Sequence, residues 1–290
     1  MKKTTFVLGT LMLAAAAQAQ FTTGFEAPVY TGSAGGTLLT GQDGWYLPAV
    51  AGSQDGTVHS YAGNVYGFVQ NPLGGSQFAV TRFGNSNPAR SQHAFDFSSA
   101  DVFTASFDVC ADRFGGVLPS SNNIGSFSLQ PSTTARFYQT LYVWDDVNTG
   151  NAFDGNYIFF NAAGVQNGAS GITPGPAWDA LKLNTWYRMS TTWSFATNQI
   201  LSISIDNLHD VAPATVLDTS ALGWYLAGGA NPTLARPTDF RIFGSGAISG
   251  TAVNTNQVGW DNLSIIPSPS GALMLGLAGL VGAGRRRRRS

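Results

Sequence analysis

The sequence predicts an all-β fold, a two-sheet antiparallel sandwich, and three observations lead to this prediction. The 290 residues include 35 glycines but only three lysines and one glutamate, so the residues that build surface helices are scarce. No stretch shows a helical stripe three turns long, whereas short β-rich runs recur between clusters of Gly, Asn, Pro and Ser. Because no repeat period or long linker divides the chain, one sandwich is favoured, with a barrel or two smaller sandwiches as the alternatives.

Seven runs show the strand pattern most clearly: 103–109, 136–144, 157–160, 186–195, 200–205, 240–243 and 258–266. In one of them, apolar residues from Tyr187 to Trp193 alternate with polar ones, which predicts one buried and one solvated face. Asn198 predicts a hairpin turn after this strand, because Asn tolerates the left-handed backbone conformation. The Gly-rich and Asn-rich piece 161–176 predicts a long surface loop.

Composition and charge narrow the possible partners. With 43% apolar residues and a net charge of −1, the chain lacks the low hydrophobicity and charge excess of a disordered protein. Residues 20–266 hold eight basic against sixteen acidic residues, a net charge of −8, which argues against nucleic acid as a partner. The single cysteine, Cys110, excludes an internal disulfide, and its alternating surroundings predict a buried thiol.

The N-terminus predicts a signal peptide over residues 1–19. Lys2 and Lys3 precede the apolar run 6–17, and small residues at Ala17 and Ala19 fit the positions that a signal peptidase reads. We therefore expect cleavage after Ala19, with the export machinery and signal peptidase as partners and export across the inner membrane. A buried N-terminal helix is the alternative.

The C-terminus, residues 267–290, has three parts. The tripeptide Pro267, Ser268, Pro269 is followed by the apolar span 271–284 and then by Arg285, Arg286, Arg287, Arg288 and Arg289. As a helix the span would reach about 21 Å, against about 30 Å of membrane hydrocarbon, which favours a transient stop over a stable crossing. The arginines would hold this end in the cytoplasm.

This end resembles the PEP-CTERM sorting signal of Gram-negative bacteria, in a variant with Ser268 where that family has a glutamate. The resemblance implies processing by an exosortase-like membrane protease and delivery to the cell surface or extracellular matrix in bacteria that make exopolysaccharide. The alternatives are a plain membrane anchor and a nucleic-acid tail, and the apolar span before the arginines argues against the latter.

A second resemblance concerns the domain between the two signals, residues 20–266. The runs 23–28 and 36–45 near its start, and 259–265 at its end, resemble the first and last strands of concanavalin A-like and laminin-G-like jelly rolls. The resemblance implies a jelly-roll sandwich whose first and last strands share one sheet, so that both termini leave from one edge. That arrangement suits a C-terminal tether.

Aromatic residues are the candidates for carbohydrate binding, because sugar rings stack on exposed aromatic faces. The candidates lie in loop-like surroundings: Trp45, Tyr46, Trp178, Trp224 and Tyr225. Alternatively, these rings cap one end of the sandwich. Trp144, Trp193 and Trp260 lie in strand patterns and are expected in the core.

The run 145–156 is the candidate for a structural calcium ion, the only cofactor that the sequence suggests. Its oxygen donors are Asp145, Asp146, Asn148 and Asp154, and Ca²⁺ takes six to eight oxygen ligands. The order of these donors does not match an EF-hand, so an Asx-rich hairpin loop is the alternative.

No catalytic residue is predicted. Glu26, the only glutamate, is expected to be structural at a sheet edge, and His59, His93 and His209 lack the surrounding motifs of a hydrolase or a zinc site. Among three aspartate pairs, 145/146 are neighbours that would point to opposite faces of a strand. The pairs 108/112 and 206/210 share a face, but this spacing does not imply an acid with a raised pKa. The sequence thus favours a non-catalytic surface protein associated with exopolysaccharide. The alternatives are a structural surface protein without a ligand and a divergent glycosidase or lyase.

Overall fold

The computed structural model describes residues 20–84, 87–113, 123–131, 137–144, 152–231, 236–244 and 256–268. These residues form sixteen strands and one short 3₁₀ helix at Pro176–Trp178. The strands are β1 (Phe21–Thr23), β2 (Thr37–Leu38), β3 (Trp45–Tyr46), β4 (Thr57–Ser60), β5 (Gln77–Gly84), β6 (Asn87–Ala94), β7 (Val102–Arg113), β8 (Asn123–Gln130), β9 (Tyr138–Trp144), β10 (Ala152–Ile158), β11 (Leu181–Lys182), β12 (Tyr187–Ser194), β13 (Gln199–Asn207), β14 (Thr215–Asp218), β15 (Asp239–Gly244) and β16 (Asn256–Pro267).

Two antiparallel sheets make up the fold, which confirms the predicted sandwich. Sheet A has the order β2-β4-β5-β16-β7-β12-β13-β14, and sheet B has the order β3-β6-β15-β8-β9-β10-β11. The β5–β6 hairpin joins the two sheets through the Phe83↔Pro88 and Gly84↔Asn87 pairs. Strand β1 pairs with β16, from Phe21↔Ile265 to Thr23↔Leu263, so the first and last strands share sheet A as expected.

Aromatic rings from both sheets fill the space between them. The ring of Phe107 in sheet A stacks on Phe127 in sheet B with centroids 4.7 Å apart. Trp193 in sheet A meets Tyr138 in sheet B edge to face at 5.2 Å. Trp144, Trp193 and Trp260 are all buried, as predicted for the core. The domain is therefore held by burial of large aromatic side chains, each of which is worth a few kcal/mol.

All seven predicted strands are present, with ends shifted by a few residues. Tyr187, Met189, Thr191 and Trp193 are buried while the alternate residues Arg188, Ser190 and Thr192 are partly exposed, which confirms the alternation. Asn198 has a φ of 54° in the turn between β12 and β13, as the hairpin requires. Cys110 is buried, as predicted.

The two predicted terminal signals fall largely outside the described residues. Residues 1–19, with Ala17 and Ala19, are not described, and neither are Pro269, the apolar span 271–284 and Arg285–Arg289. In the described ranges, no helix has the length and apolarity needed to cross a membrane. Pro267 and Ser268 are described, and they lie at the end of the sheet: the Ser268 N–H donates to the Val102 carbonyl at 2.9 Å.

Candidate functional site

The outer face of sheet B is polar along β6, β15 and β8, whereas β9 and β10 carry an apolar cluster of Leu141, Val143 and Ile158 on the same face. On β8, Phe127 and Leu129 point into the core, and the residues that alternate with them, Ser126, Ser128 and Gln130, point to the other face. The same alternation on β15 sends Phe240 and Ile242 inward and Arg241 outward.

Arg241 lies in the middle of this face because of the strand register. It pairs with Gln92 on β6 and with Ser128 on β8. Polar side chains from three adjacent strands therefore meet around it.

A cavity of about 220 Å³ opens on this face. We call it the groove, and it is lined by Val50, Arg90, Asn123, Ser126, Ser128, Gln130, Gln139, Arg241 and Phe243. Its volume is below the roughly 300–1,000 Å³ of clefts that enclose drug-sized ligands. The groove can therefore hold one unit of a longer ligand, with the rest lying outside.

A chain of hydrogen bonds supports one side of the groove. Arg241 donates from Nε to Gln92 Oε1 at 2.8 Å, and also from Nη2 to the same oxygen. Gln92 Nε2 donates to the Tyr46 hydroxyl at 2.7 Å, and Tyr46 donates in turn to Asp239 Oδ1 at 2.5 Å. Thr238 donates to the second carboxylate oxygen of Asp239 at 2.6 Å. The network orients the Arg241 side chain.

Burial shifts the pKa of two members of this network. Desolvation and the bond to Asp239 raise the pKa of the Tyr46 hydroxyl to about 12, so it stays protonated at neutral pH. Desolvation and the nearby positive charge of Arg90 lower the pKa of Arg241 to about 10, which still leaves it charged at neutral pH. Tyr46 is thus a hydrogen-bonding group and a poor general base.

Gln130 has an unused acceptor in the groove. Its Nε2 donates to Ser128 Oγ at 2.8 Å, but its Oε1 has no hydrogen-bond partner in the part of the chain that the structure describes. The side chain is only 3% exposed, so bulk water does not solvate it freely. A buried acceptor without a partner costs about 1–3 kcal/mol, which a donor from a ligand would offset.

The three tryptophans predicted to be exposed platforms for sugar are buried in the structure. Trp45, Trp178 and Trp224 are 1%, 2% and 7% exposed, so they do not present a ring face to solvent. Trp45 donates its indole N–H to the Tyr30 hydroxyl, and Trp224 stacks on Phe159 at 4.1 Å. The expectation that these three rings are exposed is wrong, because short turns in this fold pack their aromatic residues into the sandwich.

The two tyrosines of that set are partly exposed and lie apart. Tyr46 pairs with Gln92 in the β3–β6 ladder and contacts the groove network, whereas Tyr225 pairs by its backbone with Phe160 and Gln199. Tyr46 is thus the member of the set that the structure brings to the groove.

The predicted calcium donors are mostly outside the described residues. Asp145, Asp146 and Asn148 are not described, and Asp154 lies on β10, where its Oδ1 accepts the Ala180 N–H at 3.0 Å. Within the described ranges, no group of three His, Cys, Asp or Glu side chains is arranged to hold a metal ion. The calcium site therefore stays a prediction.

The carboxylates on the groove face do not match a glycosidase pair. Asp154 on β10 and Asp239 on β15 share the outer face of sheet B, but the register places them at opposite ends of the strands. They are separated by about 20 Å along the strands. Glycosidase pairs are about 5–10 Å apart, so these two cannot act together.

Glu26 and the histidines have structural contacts. Glu26 accepts hydrogen bonds from the backbone of Ser76 and Gln77, which fits its predicted structural role. His93 points to the inner side, stacked on Phe240 at 5.2 Å, and His59 is fully buried. His209 is exposed in the turn after β13.

A second group of buried polar residues lies on the outer face of sheet A. Asp261 and Asp108 are opposite each other on β16 and β7, and Arg188 on β12 binds Asp108 with Nε–Oδ1 at 2.8 Å. Asn71 and Asn262 also donate to Asp108.

Burial, with added repulsion from Asp108 and Glu26, raises the pKa of Asp261 to about 8. Perturbed acids of this kind are candidates for catalysis. Asp108 and Asp261 are buried, however, and groups of this chain already bind their carboxylates: Asp261 accepts hydrogen bonds from the Asn262 N–H and the Tyr61 hydroxyl. The cluster is therefore structural.

Sequence reasoning missed the main groove residues, namely Arg90, Gln92, Gln130, Gln139 and Arg241. One signal was present: in Asn123–Gln130 and Asp239–Gly244 polar residues alternate with apolar ones, which marks a polar outer face. What brings these strands side by side is the sheet order, which the sequence does not display.

Comparisons with known proteins give only distant similarity. No family model matches the chain, and no curated protein matches it. Among solved structures, the chain is similar to the botulinum neurotoxin serotype G binding domain, with 9% identity, a TM-score of 0.39, 82% of this chain covered and 46% of that one. The chain thus spans less than half of that protein.

In two further similar structures, the alignment with this chain covers almost the whole of the other protein. One is the CBM2 module of the evolved Dit of Lactobacillus casei BL23 phage J-1, with 11% identity, a TM-score of 0.46, and 86% of this chain and 96% of that one covered. The other is the alginate lyase Aly36B in complex with an alginate tetrasaccharide, with 12% identity, a TM-score of 0.44, and 87% and 98% covered. At this level of similarity, the candidate site rests on the residues of this chain alone.

Proposed function

We propose that this chain is an exported surface protein whose sandwich domain binds extracellular polysaccharide in the groove of sheet B, without catalysing a reaction. The observation that carries the proposal is the polar, deeply buried floor of that groove. At one end of it lies Gln130, whose Oε1 is an acceptor without a partner among the described residues.

The chemistry of the groove suits a sugar. Sugars present many hydroxyl groups, which donate and accept hydrogen bonds. Ser126 and Ser128 can do both, and the Gln130 and Gln139 amides add donors and acceptors in fixed directions. Arg90 lies against the Phe243 ring, with its guanidinium carbon 5.3 Å from the ring centroid, which adds an apolar wall. The groove therefore offers both kinds of contact that a polymer of sugars uses.

The terminal segments support the location. The basic, apolar and small-residue order of residues 1–19 supports export, and the tripeptide, apolar span and arginines of 267–290 support sorting by an exosortase-like protease. Export to the surface would bring the groove into contact with secreted polymers.

A pull-down with a panel of insoluble or immobilised polysaccharides tests the proposal. The full chain should be retained by at least one polymer. Ser128→Trp, which fills the groove with an indole, should reduce retention about tenfold or more. The matched control is Ser204→Trp on β13, where Ser204 lies on the outer face of sheet A, and it should bind as the unmodified chain does. Equal retention of both variants, or no retention on any polymer, contradicts the proposal.

A structural surface protein without a ligand is the second candidate. It is favoured by the burial of Trp45, Trp178 and Trp224, because this leaves the expected sugar platforms inside the core. The same pull-down separates the two candidates, since a purely structural protein binds no polymer and is indifferent to Ser128→Trp.

A further inference from the structure

Two arginines set the charge of the groove, and they lie close together. Arg90 on β6 pairs with Phe243, and Arg241 on β15 pairs with Gln92, so the two arginines are diagonal neighbours in one ladder. Such positions are about 7–8 Å apart. Their proximity is evident in the pKa of Arg241, which the charge of Arg90 helps to lower. Two cations held this close attract an anion.

The groups that Arg90 contacts directly are uncharged. Its Nη1 donates to Ser53 Oγ at 2.9 Å, and its guanidinium lies over the Phe243 ring. Where the structure describes the chain, the ion pairs are Arg188–Asp108 and Arg236–Asp101, and neither includes Arg90. Burial lowers the pKa of Arg90. A desolvated cation of this kind is stabilised when a counter-charge binds next to it.

The opposite end of the groove accepts hydrogen bonds. Gln130 is opposite Asp239 on β15, and Arg90 is opposite Phe243 on the same strand. Asp239 and Phe243 are four residues apart, so the two pairs are separated by about 13 Å along β15. Asp239 already accepts bonds from Tyr46 and Thr238, whereas Gln130 Oε1 accepts none from the described residues. The groove thus has a cationic end and an end that needs a hydroxyl donor.

We infer that the groove selects a carboxylated polysaccharide, built of uronate-type sugars, with a carboxylate between Arg90 and Arg241 and hydroxyl groups toward Gln130. This inference rests on the proposed function and names its ligand class. A carboxylate can accept from a guanidinium fork through both of its oxygens, and the sulfated polymer in the test below separates it from a sulfate ester. The net charge of −8 over residues 20–266 provides no bulk attraction for a polyanion, so recognition has to come from the groove itself.

Affinity electrophoresis of the full chain tests the inference with two polymers that share one backbone. Polygalacturonate carries free carboxylates, and its fully methyl-esterified form carries none. The chain should be retarded about tenfold more strongly by polygalacturonate, as expected for charge-assisted hydrogen bonds. Arg90→Gln should remove most of this difference, because only the free carboxylates of polygalacturonate lose a charge-assisted contact. Arg82→Gln removes an arginine that is exposed on β5, outside the groove, and should change neither value.

The outcomes separate this inference from the proposed function. Equal retardation by the two forms of the polymer overturns the inference while leaving polysaccharide binding intact. Dextran sulfate bound as tightly as polygalacturonate overturns the assignment to a carboxylate. If no polysaccharide of any kind retards the chain, the proposed function fails as well.

Circular dichroism and thermal melting of Arg90→Gln establish whether the variant is folded. Gln130→Glu gives a second test, because the added negative charge should weaken binding of polygalacturonate more than binding of the ester.

Discussion

Burying a polar side chain destabilises the folded state unless the side chain forms hydrogen bonds, and this protein has a cluster of such side chains on the outer face of each sheet. On sheet B, Gln130 and its neighbours line an open cavity, so a ligand can meet their hydrogen-bonding needs. On sheet A, Asp108 is bound by the side chains of Arg188, Asn71 and Asn262, and Asp261 accepts hydrogen bonds from the Asn262 N–H and the Tyr61 hydroxyl. The acceptor of Gln130 that lacks a partner among the described residues distinguishes the candidate binding site from the structural cluster.

The buried carboxyl of Asp261 lowers the free energy of unfolding by an amount that depends on pH, and replacing the residue should remove this effect. Its pKa is raised from 3.8 to about 8 in the folded protein, chiefly by burial. Well below pH 4, Asp261 is protonated in both the folded and the unfolded state, so its raised pKa does not change the free energy of unfolding. Between pH 4 and pH 8 the unfolded state loses this proton while the folded state keeps it, so the free energy of unfolding falls as the pH rises.

Asp261→Asn should therefore be more stable than the unmodified chain at pH 7, by about 2–4 kcal/mol, since each pKa unit corresponds to about 1.4 kcal/mol. The advantage should shrink toward zero at pH 4 and stay constant above pH 8. Urea unfolding at several pH values measures it, with Asp210→Asn as the control because Asp210 is exposed. An advantage that does not change between pH 4 and pH 8 would contradict the account.

At the scale of elements, the β12–β13 hairpin shows how a turn residue holds a distant loop. Asn198 has a φ of 54°, and its buried Nδ2 donates to the carbonyl oxygens of Leu226, Ala227 and Gly229 at 3.4, 3.1 and 2.7 Å. The same side chain thus allows the turn and ties the 226–229 segment to it.

Asn198→Ala should lower the free energy of unfolding by about 2–4 kcal/mol, because it loses these bonds and puts a Cβ in a left-handed conformation. Asn198→Gly loses the bonds but not the backbone compatibility, so it should cost about 1 kcal/mol less. Chemical denaturation of the two variants measures the difference. Equal stability of the Ala and Gly variants would mean that the backbone conformation contributes nothing.

The strands show which parts of the fold were predictable from sequence. Strands such as β12 carry alternating large apolar residues, which is a local pattern. Strands β5, β6 and β8 were missed, because β6 and β8 are rich in polar and small residues and are recognised only through their neighbours. The groove depends on the missed strands β6 and β8 together with β15, so its residues could not be assembled from sequence. Arg90 and Arg241 are 151 positions apart, and only the β6–β15 pairing brings them together.

At the scale of the whole molecule, the tripeptide 267–269, which we propose to be part of a sorting signal, begins inside the fold. Pro267 pairs with Phe103, the Ser268 N–H donates to Val102, and Ser268 Oγ shares a hydrogen bond with Thr104 at 2.8 Å. If an exosortase-like protease processes the chain, we expect the mature C-terminus to lie after Ser268. Mass spectrometry of the native protein measures this. A C-terminus that still carries the arginines would identify the segment as an anchor instead.

The proposal that polysaccharide binds in the groove of sheet B is tested most directly by a crystal structure of the protein with an oligosaccharide from a polymer that it retains. We expect one sugar unit in the cavity, with a hydroxyl group donating to Gln130 Oε1 and the rest of the oligomer running along the outer face of sheet B. An oligosaccharide bound on any other surface, with the groove left empty, would contradict the proposal.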